Sequence, residues 1–107
     1  MSFDAYDAAL LLIRQLREIL PLIQRHDTEL AAQIHDAASS AHLNLAEGRR
    51  RIGKDRTNRY RISAGSADEV RAGLEQAEAW GYVARDRLLP LLETCDRLLA
   101  MTWRLTH

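Results

Sequence analysis

The sequence contains few of the residues that interrupt helices or cross-link small folds. Its 107 residues include two prolines, five glycines and one cysteine. A single cysteine excludes an intramolecular disulfide and suits a reducing compartment, so we expect a cytoplasmic protein in which Cys95 is a small core residue. The scarcity of proline and glycine leaves long uninterrupted segments, which favour helices.

Long apolar runs are missing as well. No uncharged stretch approaches the roughly 20 residues that a membrane-spanning helix needs, so we expect no membrane partner. The apolar run at 8–13 is preceded by acids, followed by arginines and not ended by a small-residue cleavage site. We therefore expect no signal peptide.

The residues that are abundant indicate an all-α protein. Aromatic residues are limited to two Trp, three Tyr and one Phe, and strong helix formers dominate the rest. The length predicts a single domain over 1–107. A chain this short buries a modest core, so assembly with copies of itself would stabilise it.

Two helices are predicted in the first half of the chain. The first spans about 4–20, and Pro21 is expected to end or kink it. Its apolar face is too wide for one partner, which again indicates self-association. Asp27 is the predicted N-cap of the second helix, which ends near Gly48 or Gly53.

Two further helices complete the prediction. The third begins around Asp55 or Thr57 and ends before Gly81, a candidate for the left-handed conformation that terminates helices. The fourth spans about 84–105. Short connections favour an antiparallel up-down-up-down four-helix bundle. Small residues at 37–41 and 63–67 predict that the second and third helices pack closely together.

Three segments carry a family resemblance. They are SAHLNLAEG at 40–48, YRISAGSADEV at 60–70 and GYV at 81–83. In this order and spacing they resemble the signature of the 23S rRNA intervening-sequence proteins, although Ala41, Ser63 and Val70 depart from the residues that family prefers. The signature positions carried over are Asn44, Glu47, Gly48, Arg51, Gly65, Ser66, Glu69, Gly81 and Tyr82. None of them brings a catalytic role with it.

The resemblance implies a four-helix bundle that assembles into a ring-shaped homo-oligomer, with five subunits as the expected number. It also extends to the accessory proteins of diversity-generating retroelements, which form a basic ring that works with nucleic acid and a reverse transcriptase. Fold by itself does not fix function. The analogy therefore supports a search for a polyanion-binding surface.

A basic segment at 49–61 is the candidate surface. It contains seven cations against one acid, Asp55, so its local charge is +6 in a chain of net charge zero. The cations are Arg49, Arg50, Arg51, Lys54, Arg56, Arg59 and Arg61. Such a cluster attracts RNA or DNA by neutralising phosphates, with only Tyr60 nearby for base stacking. The alternative is that these arginines are solvated or pair with acids of a neighbouring subunit, leaving a structural or adaptor oligomer.

Other functional classes have weaker signals. Glu47 and Glu69 are placed where the second and third helices are expected to be closest, so a hydrolytic or ligand-binding site would need both in one polar pocket. A structural role beside arginines is favoured. His35 and His42 lack the spacing of a metal-binding pair. We expect no enzyme, no cofactor and no metal; the expected partners are the chain itself, RNA or DNA, or a protein.

Two tryptophans, Trp80 and Trp103, fall late in their predicted helices. We interpret them as core or interface residues rather than as a ligand platform.

Overall fold

The computed structural model describes residues 3–107, and this part of the chain contains four α-helices and no strand. They are α1 (Asp4–Gln24), α2 (Thr28–Gly48), α3 (Gly53–Ala79) and α4 (Arg85–Thr106). The predicted all-α class is confirmed. None of these helices is long and apolar enough to cross a membrane.

Each helix contributes a buried apolar stripe to one shared core. The largest side chains in it are those of Leu12, Leu16, Ile23, Ile34, Leu45, Leu74, Leu88 and Leu98. On α1 a second stripe containing Leu10, Ile13 and Leu20 is half-buried. The wide apolar face predicted for this helix is therefore only partly covered by the other three helices.

Of the two outcomes predicted for Pro21, an end or a kink, the end is wrong, since α1 continues to Gln24. A proline removes one backbone donor, but its own carbonyl still accepts a hydrogen bond from the Arg25 amide at 3.3 Å. Ile19 and Ile23 on either side are buried. Burial of these two side chains offsets the lost hydrogen bond.

The start of α2 is as predicted, whereas α3 begins earlier. The Asp27 carboxylate accepts a hydrogen bond from the Leu30 amide at 2.9 Å and caps α2. Helix α3 begins at Gly53 rather than at Asp55 or Thr57. Gly53 has a φ of 60°, a left-handed conformation that glycine adopts readily and that turns the chain directly into the helix.

Gly81 terminates α3 as the sequence predicts. Its φ is 81°, its amide donates to the Glu78 carbonyl, and the Tyr82 amide donates to the Ala77 carbonyl, each at 2.9 Å. These paired bonds satisfy carbonyls that would otherwise lack partners at the helix end.

The small residues of α2 and α3 bring the two helices together. Ser63 is fully buried and its hydroxyl donates to the Ala41 carbonyl at 2.7 Å. The hydroxyls of Ser40 and Ser66 are hydrogen-bonded at 2.8 Å. The predicted close packing of the two segments is confirmed.

Helix α4 packs against α1 and α3. The Arg71 guanidinium donates to the Asp96 carboxylate at 2.7 Å, and the Gln15 amide donates to the Pro90 carbonyl at 3.4 Å. Cys95 has no exposed surface, and burial raises the pKa of its thiol to about 12. It is the core residue that the sequence predicts.

Candidate nucleic-acid interface

The basic segment joins α2 to α3 at one end of a molecule about 43 Å long. Helix α1 starts at the same end, because Phe3 lies against Tyr60 with ring centroids 5.8 Å apart. Residues 3–5 line a cleft together with Met101, Arg104 and Leu105, so α4 finishes there too. We call this region the basic end.

Arg51 is held by two carboxylates. Its guanidinium donates to Asp55 at 2.9 Å and to Glu47 at 3.3 Å, across the short loop between α2 and α3. These hydrogen bonds, the one to Asp55 first, raise the pKa of Arg51. The predicted pairing of Glu47 with an arginine is confirmed, and the charge of Arg51 is largely compensated.

Arg56 and Arg59 bind the end of α2. Arg56 donates from Nε to the Gly48 carbonyl at 3.3 Å and from Nη2 to the Arg49 carbonyl at 3.4 Å. Arg59 is half-buried and donates to Asn44 Oδ1 at 3.4 Å. Cations are favourable beside the carbonyls at a helix C-terminus, so Arg56 stabilises the loop. Arg59 instead joins α3 to the last turns of α2 through the Asn44 side chain.

Arg49 lies over an aromatic ring. Its guanidinium carbon is 4.3 Å from the ring centroid of Tyr6, and the same ring packs against His42 with centroids 4.7 Å apart. Burial, and to a smaller extent the charge of Arg49, lowers the pKa of His42. This cluster ties the start of α1 to the end of α2.

Three cations remain available to a ligand. The side chains of Arg50, Lys54 and Arg61 are exposed and form no hydrogen bond or ion pair within 3–107. The structure therefore divides the seven predicted binding residues: four are engaged in internal contacts and three are free to meet a phosphate.

Tyr60 is unavailable for base stacking, contrary to the prediction. Its side chain is buried, and its ring lies so close to Gly48 that a Cβ there would be 2.6 Å from Tyr60 Cε1. The one aromatic residue of the basic segment is therefore buried in apolar contacts at the start of α3.

Glu47 and Glu69 do not form a paired site. From the hydrogen-bonded pair Ser40 and Ser66, Glu47 lies two helical turns toward the basic end and Glu69 lies one turn the other way. The two residues are thus separated by about ten helical positions, roughly 15 Å along the helix axes. Glu69 borders a cleft on the α2 and α3 surface that does not include Glu47.

The remaining signature positions serve the fold. Asn44 Nδ2 donates to the carbonyl and the hydroxyl of Ser40, at 2.9 and 3.2 Å. Tyr82 stacks on His26 with centroids 5.0 Å apart and closes the end opposite the basic end. Gly65 differs from these, since a Cβ at that position would meet nothing within 4 Å.

The histidines are distributed over the molecule. His35 lies beside Asp36 at 3.1 Å, and His42 belongs to the Tyr6 cluster. Over the described range no group of three or more His, Cys, Asp or Glu side chains has metal-binding geometry.

The tryptophans are not core residues, contrary to one of the two predicted roles. Trp80 is 64% exposed and Trp103 is 61% exposed. Trp103 belongs to the basic end, since it precedes Arg104 on the last turns of α4. This position could not be predicted from the sequence, because Trp103 is far from the basic segment along the chain.

The fold and the site define a small four-helix protein with a cationic end. The chain belongs to the 23S rRNA-intervening sequence protein family, whose model matches residues 1–104. A crystal structure of a Bacteroides thetaiotaomicron protein of unknown function, from the S23 ribosomal protein family, has the same fold. Its TM-score is 0.84 at 17% sequence identity, over 95% of this chain and 97% of that chain. No curated protein is a significant match.

Proposed function

We propose that this protein is a non-enzymatic cytoplasmic oligomer that binds RNA or DNA, or a nucleic-acid-bound protein, through its basic end. The observation that supports this function is that the exposed side chains of Arg50, Lys54 and Arg61 have no hydrogen-bond or ion-pair partner within residues 3–107. Unpaired exposed cations in a concentrated patch release counterions when they meet phosphates, which gives binding without sequence specificity.

The proposed arrangement of the subunit is an antiparallel up-down-up-down bundle. Contacts between α2 and α3 run in opposite directions, because Ile34 faces Gly73 whereas Gly48 faces Tyr60. The connections between consecutive helices are three to five residues long, as expected for antiparallel neighbours. This arrangement supports the grouping of the start of α1 and the end of α4 with the basic segment.

The proposed assembly is a homo-oligomeric ring, with a pentamer expected from the family resemblance. The half-buried stripe of α1 supports a partner surface, and so do several exposed large apolar side chains. These are Leu43, Ile52, Ile62, Leu89 and Leu105. A ring repeats the basic end in every subunit, so weak contacts add up to avidity. The link to retroelement accessory proteins stays a prediction.

A structural or adaptor oligomer that binds no nucleic acid is the second candidate. It is favoured by the internal use of Arg51, Arg56 and Arg59, which shows that part of the basic segment stabilises the α2 to α3 loop. In that case the three remaining cations would pair with acids of a neighbouring subunit.

Light scattering followed by titration of labelled RNA and DNA decides between these functions. We expect an oligomer whose affinity for both polymers falls steeply between low and moderate salt, because counterion release dominates. An oligomer that binds neither polymer at low salt would overturn nucleic-acid binding and leave the adaptor function.

A matched pair of triple variants locates the surface. Replacing Arg50, Lys54 and Arg61 with Gln should lower the slope of log affinity against log salt by about 2 to 3, since each phosphate contact contributes about 0.7 to 0.9. The control replaces Arg17, Arg25 and Arg87, which are exposed arginines outside the basic segment, with Gln. Equal effects of both triples would show that net charge, rather than the basic end, determines binding.

A further inference from the structure

An exposed aromatic pair occupies the last turn of α4. The rings of Trp103 and His107 stack with centroids 3.4 Å apart and an interplanar angle of 18°. The indole keeps 61% of its surface exposed despite this contact. Exposure of an indole to water is unfavourable, and its free energy falls when a planar apolar group covers it.

The pair lies near the level of Arg61, one of the three free cations of the basic end. Arg71 on α3 is bonded to Asp96 on α4, and Trp103 lies seven residues after Asp96 on the same stripe of that helix. In the antiparallel arrangement the residue facing Trp103 is Ala64, seven residues before Arg71. Arg61 lies one turn further, roughly 5 Å along the axis.

The other end of the molecule offers a natural control. Trp80 is exposed to the same degree, 64%, and lies near Tyr82, with ring centroids 6.4 Å apart. Tyr82 in turn stacks on His26, at the end opposite the basic end. Two tryptophans of similar exposure are therefore available as fluorescence probes, one at each end of the bundle.

We propose that Trp103, supported by His107, is a stacking platform for an unpaired base, and that the ligand of the basic end is consequently single-stranded nucleic acid. The inference rests on the proposed function and specifies its substrate class. In a duplex both faces of each base are covered by neighbouring bases, so an indole gains a stacking contact only from a single strand or an unpaired nucleotide. Arg61, Arg50 and Lys54 of the basic segment then bind the backbone phosphates.

Two single-tryptophan variants test the platform directly. Trp80→Phe leaves Trp103 as the only indole, and Trp103→Phe leaves Trp80. Each is titrated with an unlabelled 12-nucleotide oligo(dT), with oligo(rU) and with a DNA duplex of equal length while indole fluorescence is recorded. We expect both single strands to quench Trp103, the duplex to change it little, and Trp80 to respond to none of them.

Affinity provides a second measurement. In anisotropy titrations with labelled strands, Trp103→Leu should weaken single-strand binding roughly 5- to 20-fold, the lower part of the range for loss of one stacked base. Duplex affinity and the salt slope should stay the same, because no phosphate contact is removed. Trp80→Leu is the matched control and should leave single-strand affinity unchanged.

The outcomes separate this inference from the proposed function. Strands that bind with normal affinity to Trp103→Leu, without quenching Trp103, would overturn the platform while nucleic-acid binding stands. Absence of binding by any strand at low salt would overturn both. If Trp103 fluorescence instead changes with protein concentration and is then insensitive to added strands, the indole is a subunit contact and the inference is wrong.

Discussion

A Cβ atom added to Gly48 would lie 2.6 Å from Cε1 of Tyr60. The absence of a side chain at the end of α2 therefore leaves room for an aromatic ring from the first turns of α3. Its φ is not in the left-handed region, which only Gly53 and Gly81 occupy among residues 3–107. The reason for glycine here is a tertiary contact rather than helix termination.

Gly48→Ala is expected to destabilise the subunit by about 1–3 kcal/mol, the usual cost of forcing a buried ring out of its position. A loss of this size lowers the melting temperature by roughly 4–8 °C per kcal/mol for a domain near this length. Thermal unfolding followed by circular dichroism measures it. A variant as stable as the parent protein would contradict the close approach.

Gly65→Ala is the opposite case on the neighbouring helix. A methyl group there meets nothing within 4 Å, and alanine is the better helix former, so the variant should gain about 0.5–1 kcal/mol in the free energy of unfolding. Urea titration measures the gain. A loss of stability together with a smaller mass in light scattering would place Gly65 in a subunit contact instead.

Ser63→Ala removes a buried hydroxyl that donates to the Ala41 carbonyl at 2.7 Å. We expect a loss of about 0.5–1.5 kcal/mol, the net value of such a hydrogen bond. Ser39→Ala, at a half-buried serine on α2, is the comparison and should change stability less. Equal urea midpoints for the two variants would argue against the buried hydrogen bond.

Cys95 should be unreactive in the folded protein. Its thiol is fully buried, and with a pKa of about 12 it carries almost no thiolate at pH 8. Labelling by a thiol reagent should therefore proceed only as fast as the protein unfolds, and should speed up through the urea transition. Complete labelling within seconds in the absence of denaturant would contradict this burial.

His42 should make stability depend on pH just below neutrality. Its pKa in the folded chain is lowered from 6.5 by burial and Arg49, so below pH 6.5 the unfolded chain binds a proton that the folded chain does not. The contribution of neutral His42 is complete above pH 6.5 and is lost as the pH falls below it. Urea titrations at pH 7.5 and 5.5 should show a smaller decrease for His42→Gln than for the parent protein.

The control for this dependence is His35→Gln, at an exposed histidine on the same helix, which should keep the decrease caused by His42. Arg49→Gln should raise the pKa of His42 in an NMR titration, because one of the two causes of its shift is removed. An unchanged His42 titration would mean that Arg49 does not lie near the ring in solution.

The helices could be predicted from the sequence because their apolar residues recur with helical spacing. Leu30, Ile34 and Leu45 are all buried as that spacing requires, and Asp27 is the predicted cap. The C-terminal end of α1 could not be predicted, since the local conformational preferences of Leu20 and Pro21 favour a break in the helix. Burial of Ile19 and Ile23 decides otherwise, and burial depends on the other three helices.

The charge of the candidate site could be predicted from the sequence, but its geometry could not. Seven cations at 49–61 are visible in the sequence, but which of them are free depends on Glu47, Asn44 and Tyr6 being within reach. The favoured role of Glu47 beside an arginine is confirmed, whereas the alternative of one pocket shared by Glu47 and Glu69 could not be tested in the sequence, because both residues fall in the small-residue segments of α2 and α3. Only the register of α2 against α3 separates them.

By itself, the sequence determined the four helices, the buried stripes, the turn at Gly81 and a charge of +6 confined to one short segment, because these follow from local conformational preference and periodicity. The tertiary structure alone decided that Tyr60 is buried and that Trp103 joins the basic end. Residues 60 and 103 are far apart in sequence, and their surroundings are set by which helix ends meet when the core closes.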